Sequence, residues 1–306
     1  MPNGDSSNSA FKEKRMKKHI CLIVIFVFAL SATFAISSAR ERDRLKVEEK
    51  EKIERTLRFQ DLSKAREVWV DNIFGSIIVE GSSGQEVELV VHKTIKAKNK
   101  EKLQKARDEV KLDIKEEGNT IDLYVDGPFR DRDQDGRYRN RWDPGYRVHY
   151  EFAIKVPLQT NLSLKTATDG KIRVTNVEGE FDIRHANGKI DLIEVAGSGD
   201  AHTANGDVRV IFSKNPESNC SFKTVNGDVS VSFQKNLSAD FRLKTFHGDG
   251  YSDFPITYLP SRPAQKGRED GKYIYKSDRF VGVRVDRGGP EILMDTLNGD
   301  LLIQKR

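Results

Sequence analysis

Cysteine is nearly absent from this 306-residue chain, which has only Cys21 and Cys220. Cys21 lies inside an N-terminal hydrophobic run, so Cys220 alone is left for everything after it. One thiol makes no intramolecular disulfide and no cysteine-ligated metal centre, and an unpaired cysteine usually packs as a small buried hydrophobe. The fold must be held by its core. A strong excess of one charge is missing as well: 52 Lys and Arg stand against 47 Asp and Glu, a net charge of +5. So mild an excess, with no DNA- or RNA-reading motif beside it, argues against a nucleic-acid partner. Enzyme signatures are also lacking: no G-x-S-x-G elbow, no H-E-x-x-H and no standard phosphate loop. The chain reads as a non-enzyme.

Long hydrophobic runs reduce to one. Lys12, Lys14, Arg15, Lys17 and Lys18 precede "ICLIVIFVFALSATFAI", and "SSA" follows at Ser37–Ala39. A basic flank, an apolar run of about 17 residues and small residues at −3 and −1 describe a secretory signal. Cleavage after Ala35 or after Ala39 fits equally. The run is also long enough to stay uncut as an anchor, with the basic flank inside and the rest exported. Residues 1–39 are therefore a signal peptide or signal anchor. The bulk of the chain is expected in the periplasm or at the cell surface, free or tethered to the cytoplasmic membrane. Residues 40–58, "RERDRLKVEEKEKIERTLR", are nearly all charge and read as a solvated helix or linker.

From Glu67 the texture turns to β, in "EVWVDNIFGSIIVEG" and "EVELVVHKTI". "KNKEKLQKARDEV", about 98–110, carries Leu103, Ala106 and Val110 on one stripe and predicts one short helix covering an end of the fold. "VKLDIKEEGNTIDLYV" predicts a hairpin around Gly118-Asn119. An Arg/Asp-rich loop follows at 128–147. Repeats then occupy 161–253, an insertion 254–290, and a last coil 291–306. The repeats align on Gly170, Gly188, Gly206, Gly227, Gly248 and Gly299. Before four of these glycines stands asparagine: Asn187, Asn205, Asn226 and Asn298. Two and four residues after the glycines come apolar columns, broken only at Gly250 and Ser252.

Asn-Gly between alternating strands is a hairpin signal, which would give an antiparallel meander. A meander has no reason to repeat the same residue at the same offset, whereas a solenoid stacks like residues into ladders. The repeat therefore predicts an all-β solenoid of the β-helix or β-roll kind, with coils of 18–21 residues. The motifs "WVDNIFGSIIVEG", the run of "NGD[I/V]" coils and "GGPEILMDTLNGDLLIQK" together resemble the bacterial family of exported, unknown-function domains labelled "putative adhesin", over about 59–306. The resemblance implies a right-handed β-solenoid, an exported location and no catalytic residues.

The turn residues Asn187, Gly188, Asn205, Gly206, Asn226, Gly227, Asn298 and Gly299 are expected to be structural, because glycine accepts a tight corner and asparagine bonds along a ladder. Three residues before each glycine stand Ala167, His185, Thr203, Thr224, Thr245 and Thr296, expected to point inward. Four residues before stand Thr166, Arg184, His202, Lys223, Lys244 and Asp295, expected outward. Arg184, His202, Lys223 and Lys244 on consecutive coils would form a basic stripe, a contact surface for an anionic envelope polymer. One residue after the glycines, Lys171, Lys189, Asp207, Asp228, Asp249 and Asp300 form a second row. Its aspartates suit turns, or the carboxylates of a carbohydrate-active β-helix enzyme. Arg173, Asp191 and Arg209 alternate in sign and predict cross-coil pairs. In the loop, Asp131, Asp133 and Asp135 begin a calcium-loop pattern, but Trp142 stands where its final glutamate belongs. No other cofactor is indicated. Arg139, Arg141 and Trp142 suit contact with sugar or protein. The functions these features allow are an adhesin-like or scaffold module contacting polymer or protein, a membrane-anchored envelope sensor acting through a partner, or a carbohydrate-active enzyme.

Overall fold

The computed structural model describes residues 45–61, 63–130, 144–260, 265–269, 272–276 and 280–306. In chain order its elements begin with β1 (Val47–Leu57), β2 (Glu67–Asp71), β3 (Ile77–Ser82), β4 (Val87–Ala97), α1 (Lys100–Glu109), β5 (Lys111–Glu117), β6 (Thr120–Asp126) and β7 (Tyr146–Pro157). Then come β8 (Asn161–Thr166), β9 (Ile172–Thr175), β10 (Phe181–Asn187), β11 (Ile190–Val195), β12 (Gly199–Asn205), β13 (Val208–Phe212), β14 (Cys220–Lys223) and β15 (Val229–Phe233). The chain closes with β16 (Ala239–Lys244), β17 (Gly250–Ser252), β18 (Ile256–Tyr258), β19 (Gln265–Glu269), β20 (Lys272–Lys276), β21 (Val281–Val285), β22 (Glu291–Asp295) and β23 (Leu301–Lys305). The protein is all-β with one α-helix among the described residues.

Apolar residues two apart give each strand one buried face, and successive strands of the repeat alternate between two sheets. The first sheet runs β18-β21-β16-β22-β14-β12-β10-β8-β2-β6-β5, the second β1-β4-β7-β3-β9-β11-β13-β15-β23-β17. β19 and β20 form a separate hairpin. Neighbouring coils pair in parallel in both sheets. Parallel neighbours need a crossover, and here the crossover is the coil's other strand in the opposite sheet. The antiparallel meander is thereby excluded.

Between the sheets the apolar columns stack in register. Ile77, Ile172, Ile190, Val208, Val229 and Leu301 form one, each fully buried or nearly so. Opposite them, Gly199 and Ala201 are small, which leaves room for Phe222 to stack on Phe181 with ring centroids 6.5 Å apart. Large beside small lets the two inner faces interlock at native density. Cys220 sits in this core, and burial pushes its thiol up to about 11.

The coils do not stack in the order the chain writes them. β22 and β23, written last, lie between β14/β15 and β16/β17. The insertion carries the chain back past β16, to which β21 pairs antiparallel, before it enters the gap. The coil holding Gly250 and Ser252 is thus the last in space. The positions of Gly250 and Ser252 in β17 carry no large apolar side chain, and no further strand of the second sheet lies beyond them.

The other end is antiparallel. β4 pairs with β7 and β1, and β5 with β6 through the hairpin at Gly118. The predicted helix is α1, with Leu103 and Ala106 buried and Asn99 accepting the Lys102 N–H at its N-terminus. It packs on β4, β7 and β1, all strands of the second sheet at this end. The segment read as a solvated linker, 40–58, is corrected over its described part: β1 is an edge strand on β4. Its charges serve that edge, with Arg107 bonded to Glu49, and Glu48 and Glu51 near Lys96 and Lys93. A charged edge strand discourages further pairing. The expected signal or anchor, 1–39, lies outside the described residues. Among the described residues no helix is long and apolar enough to cross a membrane.

Candidate functional site

The turn edge comes first, because its residues are the repeated ones. Each threonine of the inward column donates its hydroxyl to a glycine carbonyl on the adjacent coil. Thr166 reaches Gly75 (3.0 Å), Thr203 Gly188 (2.9 Å), Thr224 Gly206 (2.8 Å), Thr296 Gly227 (3.0 Å) and Thr245 Gly299 (2.9 Å). His185 takes the same place, its Nε2 3.0 Å from the Gly170 carbonyl oxygen. Beside this column runs an amide ladder. Asn205 donates to Asn187, Asn226 to Asn205 and Asn298 to Asn226, at 2.6–2.7 Å, and His247 Nδ1 lies 2.9 Å from Asn298 Oδ1. The aspartate row is equally occupied: Asp207, Asp228 and Asp300 each accept the backbone N–H of the aspartate on the next coil. At Gly227 (φ +146) an added Cβ would stand 2.3 Å from the Gly206 carbonyl oxygen, so no side chain fits there. These turns are structural, and a row of carboxylates spent on backbone amides is poorly placed for acid–base work.

The outer face of the first sheet is different. Two of its outward columns are set by register. One reads Trp69, Ser163, Asp182, Asp200, Ser221, Leu293 and Arg242 across the strands. The next, two residues further along each strand and so roughly 6.6 Å away, reads Asp71, Lys165, Arg184, His202, Lys223, Asp295 and Lys244. This second column contains the predicted basic stripe, with two corrections. Lys223 and Lys244 are not on consecutive coils, because Asp295 of the interposed coil stands between them and pairs with Lys244 at 3.2 Å. In the first coil the outward residue is Lys165, while Thr166 belongs to the inward threonine column. Asp169 takes a positive φ of 58° at that turn, which holds one residue more between the inward threonine and the glycine than the other coils do. Lys165 was findable only from the pairing, not from spacing to Gly170.

Four unbroken rungs remain: Lys165, Arg184, His202 and Lys223. Arg184 bonds Asp182 of its own strand at 2.8 Å. His202 is half-buried with Nε2 3.1 Å from Ser221 Oγ. Burial, and then the neighbouring Lys223, lower its pKa, with Arg184 adding to the effect and Asp200 opposing it. Like charges one rung apart repel by about 0.9 kcal/mol in water, and a neutral imidazole at His202 leaves Lys165 and Arg184 as the one adjacent pair of cations in this run. Lys244 at the far end stands with Arg242 against the Phe280 ring, 5.3 and 4.7 Å from its centroid. On the second sheet, Arg173 pairs with Asp191 at 3.2 Å, with Arg209 in register beyond, as the alternating signs predicted. His185 and His202 face opposite sides of the sheet.

The predicted calcium pattern, Asp131, Asp133 and Asp135, and the loop residues Arg139, Arg141 and Trp142 lie outside the described residues. The stem is described: Arg130 bonds Asp71 at 2.9 Å and stacks on Tyr124, 4.1 Å from its centroid. Among the described residues no group of three or more His, Cys, Asp or Glu side chains is placed to hold a metal.

Two sheets of parallel coils, locked by polar ladders along one edge, define a repeat-built all-β protein. Its residues 154–279 match the family model Toastrack DUF4097, a family of unknown function. The match begins within β7 and ends before β22, so β2 and β3 and the interposed coil of β22 and β23 lie outside it. No curated protein matches the chain. Among solved structures it is similar to a "putative cell adhesion protein" from Clostridium sporogenes ATCC 15579, at 11% identity over 84% of this chain and 100% of that one, TM-score 0.37. It is also similar to a "putative adhesin" from Bacteroides fragilis NCTC 9343, at 10% identity over 84% and 97%, TM-score 0.35.

Proposed function

We propose that this protein is an exported, non-enzymatic β-solenoid of right-handed sense that works by contact, as an adhesin-like or scaffold module of the cell envelope. Its contact surface is the outer face of the first sheet, and its partner there is an anionic envelope polymer. The observation that carries this reading is the in-register column Lys165, Arg184, His202 and Lys223. Lys165 and Lys223 have no carboxylate partner among the described residues, so a row of anions at a similar pitch would relieve their repulsion. The bonded aspartate row favours a binding role over the carbohydrate-active alternative. Export rests on the basic and apolar pattern before Ala39.

The test is binding of the full-length protein to anionic and neutral polysaccharides at low and moderate salt, beside an Arg184→Gln/Lys223→Gln variant. Salt-sensitive binding of the anionic polymers, lost in the variant, is expected. Equal binding by the variant, or a preference for neutral polymers, would remove the column from the function. Mass spectrometry of the N-terminal peptide from cells separates cleavage after Ala35 or Ala39 from an uncut anchor.

A further inference from the structure

Beside the basic column, toward the strand starts, the same face holds a groove of about 490 Å³ that crosses β2, β8, β10 and β12 to the start of β14. Its pitch of about 4.8 Å per strand makes it roughly 19 Å long. At its β2 end stands Trp69, 46% exposed on an outward strand position. The strand neighbour in register is only Ser163, too short to cover the indole face. Four carboxylates line the groove: Glu67, Glu180, Asp182 and Asp200. Asp182 is held by Arg184, but Glu67 and Glu180 are in no ion pair among the described residues. On the other side of Trp69, Asp122 has its carboxyl pushed up by burial first, with Asp71, Glu117 and Asp113 adding to the effect against Lys115. Among the described residues no Lys or Arg lines the groove beside these carboxylates.

These groups constrain the ligand. Ionised carboxylates only accept hydrogen bonds, so the partner must be rich in donors. Charge complementarity requires it to be cationic, and an ammonium over an indole face is attracted by the ring as well. The length favours an extended polymer. A peptide would have little to hold beyond its side chains, because the strands under the groove are paired on both sides and offer no edge for strand addition. A sugar chain needs no such edge: its hydroxyls donate to carboxylates, and its ring faces pack on Trp69.

We propose that this groove binds an amino-sugar polymer carrying free ammonium groups, stacked on Trp69 and bonded by Glu67, Glu180 and Asp200. The site is separate from the basic column and stands whether or not that column binds an anion. The test uses the full-length protein in a Trp142→Phe background, which leaves Trp69 as the sole indole. The probes are a glucosamine hexamer, its fully N-acetylated counterpart and hexalysine. The glucosamine hexamer is expected to change Trp69 emission saturably. Binding measured by calorimetry should weaken about tenfold or more in Trp69→Ala and in Glu180→Gln/Asp200→Asn, and on N-acetylation of the probe. Trp69→Phe keeps a ring and should retain most of the affinity. Arg184→Gln/Lys223→Gln should bind the hexamer as well or better, since it releases Asp182, so failure here and failure of the basic column are distinguishable. No saturable signal with the hexamer overturns the proposal, as does undiminished binding in folded Trp69→Ala. Hexalysine binding as tightly as the hexamer would assign the groove to basic peptides instead.

Discussion

The turn edge and the outer face of the first sheet both carry polar side chains at the pitch of the coils, and use them in opposite ways. Along the turn edge, threonine hydroxyls, asparagine amides and aspartate carboxylates are spent on the neighbouring coil. On the outer face, Lys165, Lys223, Glu67 and Glu180 are left without such partners. The residues that repeat most faithfully are those consumed by the fold, and those that vary from coil to coil are free to meet something else. A ladder needs identical rungs because each side chain must reach the same group on the neighbouring coil, amide to amide for asparagine and side chain to backbone for threonine and aspartate. A contact surface needs only the right charge in the right column.

That contrast can be broken from either side. The largest effect belongs to Gly227→Ala, whose new methyl meets backbone on the next coil. We expect a loss of about 3 kcal/mol or more, from overpacking and an unfavourable φ together, read as a lower denaturant midpoint. A loss under about 1 kcal/mol would mean the coils separate easily there. Next is Thr224→Val, which keeps the shape and leaves the Gly206 carbonyl without its hydroxyl donor. About 1–3 kcal/mol is expected by the same measurement. Smaller again is the pH dependence at His185. Burial lowers its pKa below 6.5, against the hydrogen bonds at Gly170 and Ala167. The unfolded chain then binds the extra proton more readily, so stability is present above the unfolded value and is lost as pH falls through about 6.5 toward the lowered folded value. His185→Thr restores the residue type of the column and should flatten that loss. His149 and His202, also lowered by burial, account for what remains. An unchanged slope in melting temperature against pH would show that His185 does not titrate with unfolding. The smallest effect is on the face itself: Arg184→Gln/Lys223→Gln should leave stability within about 0.5 kcal/mol while removing polyanion binding.

Much of this was legible beforehand where a residue's role depends on its own coil. The inward and outward alternation, the glycine corners, the helix stripe of Leu103 and Ala106 and the hairpin at Gly118 all follow from short-range pattern. The segment Val47–Leu57 was not legible, because Val47, Ile53 and Leu57 are too sparse among charges to distinguish a strand from a helix, and only β4 gives them a partner. Trp69 is not set apart by the sequence, since one outward aromatic on a strand has no distinguishing neighbours until the groove beside it is formed. Lys165 was hidden by a turn one residue longer than the rest.

By itself the sequence determined the coil: its length, its two short strands, its buried columns and the Thr-x-Asn-Gly phrase that lets one coil bond to another. The tertiary structure decided which coil meets which. Nothing local distinguishes the edge of β14 from that of β22, because every coil presents the same backbone groups at nearly the same register. The choice to seat β22 and β23 between β14/β15 and β16/β17 was made by the long-range closure of the insertion and the pairing of β21 on β16. That choice put Asp295 between Lys223 and Lys244, and so set where the basic column ends.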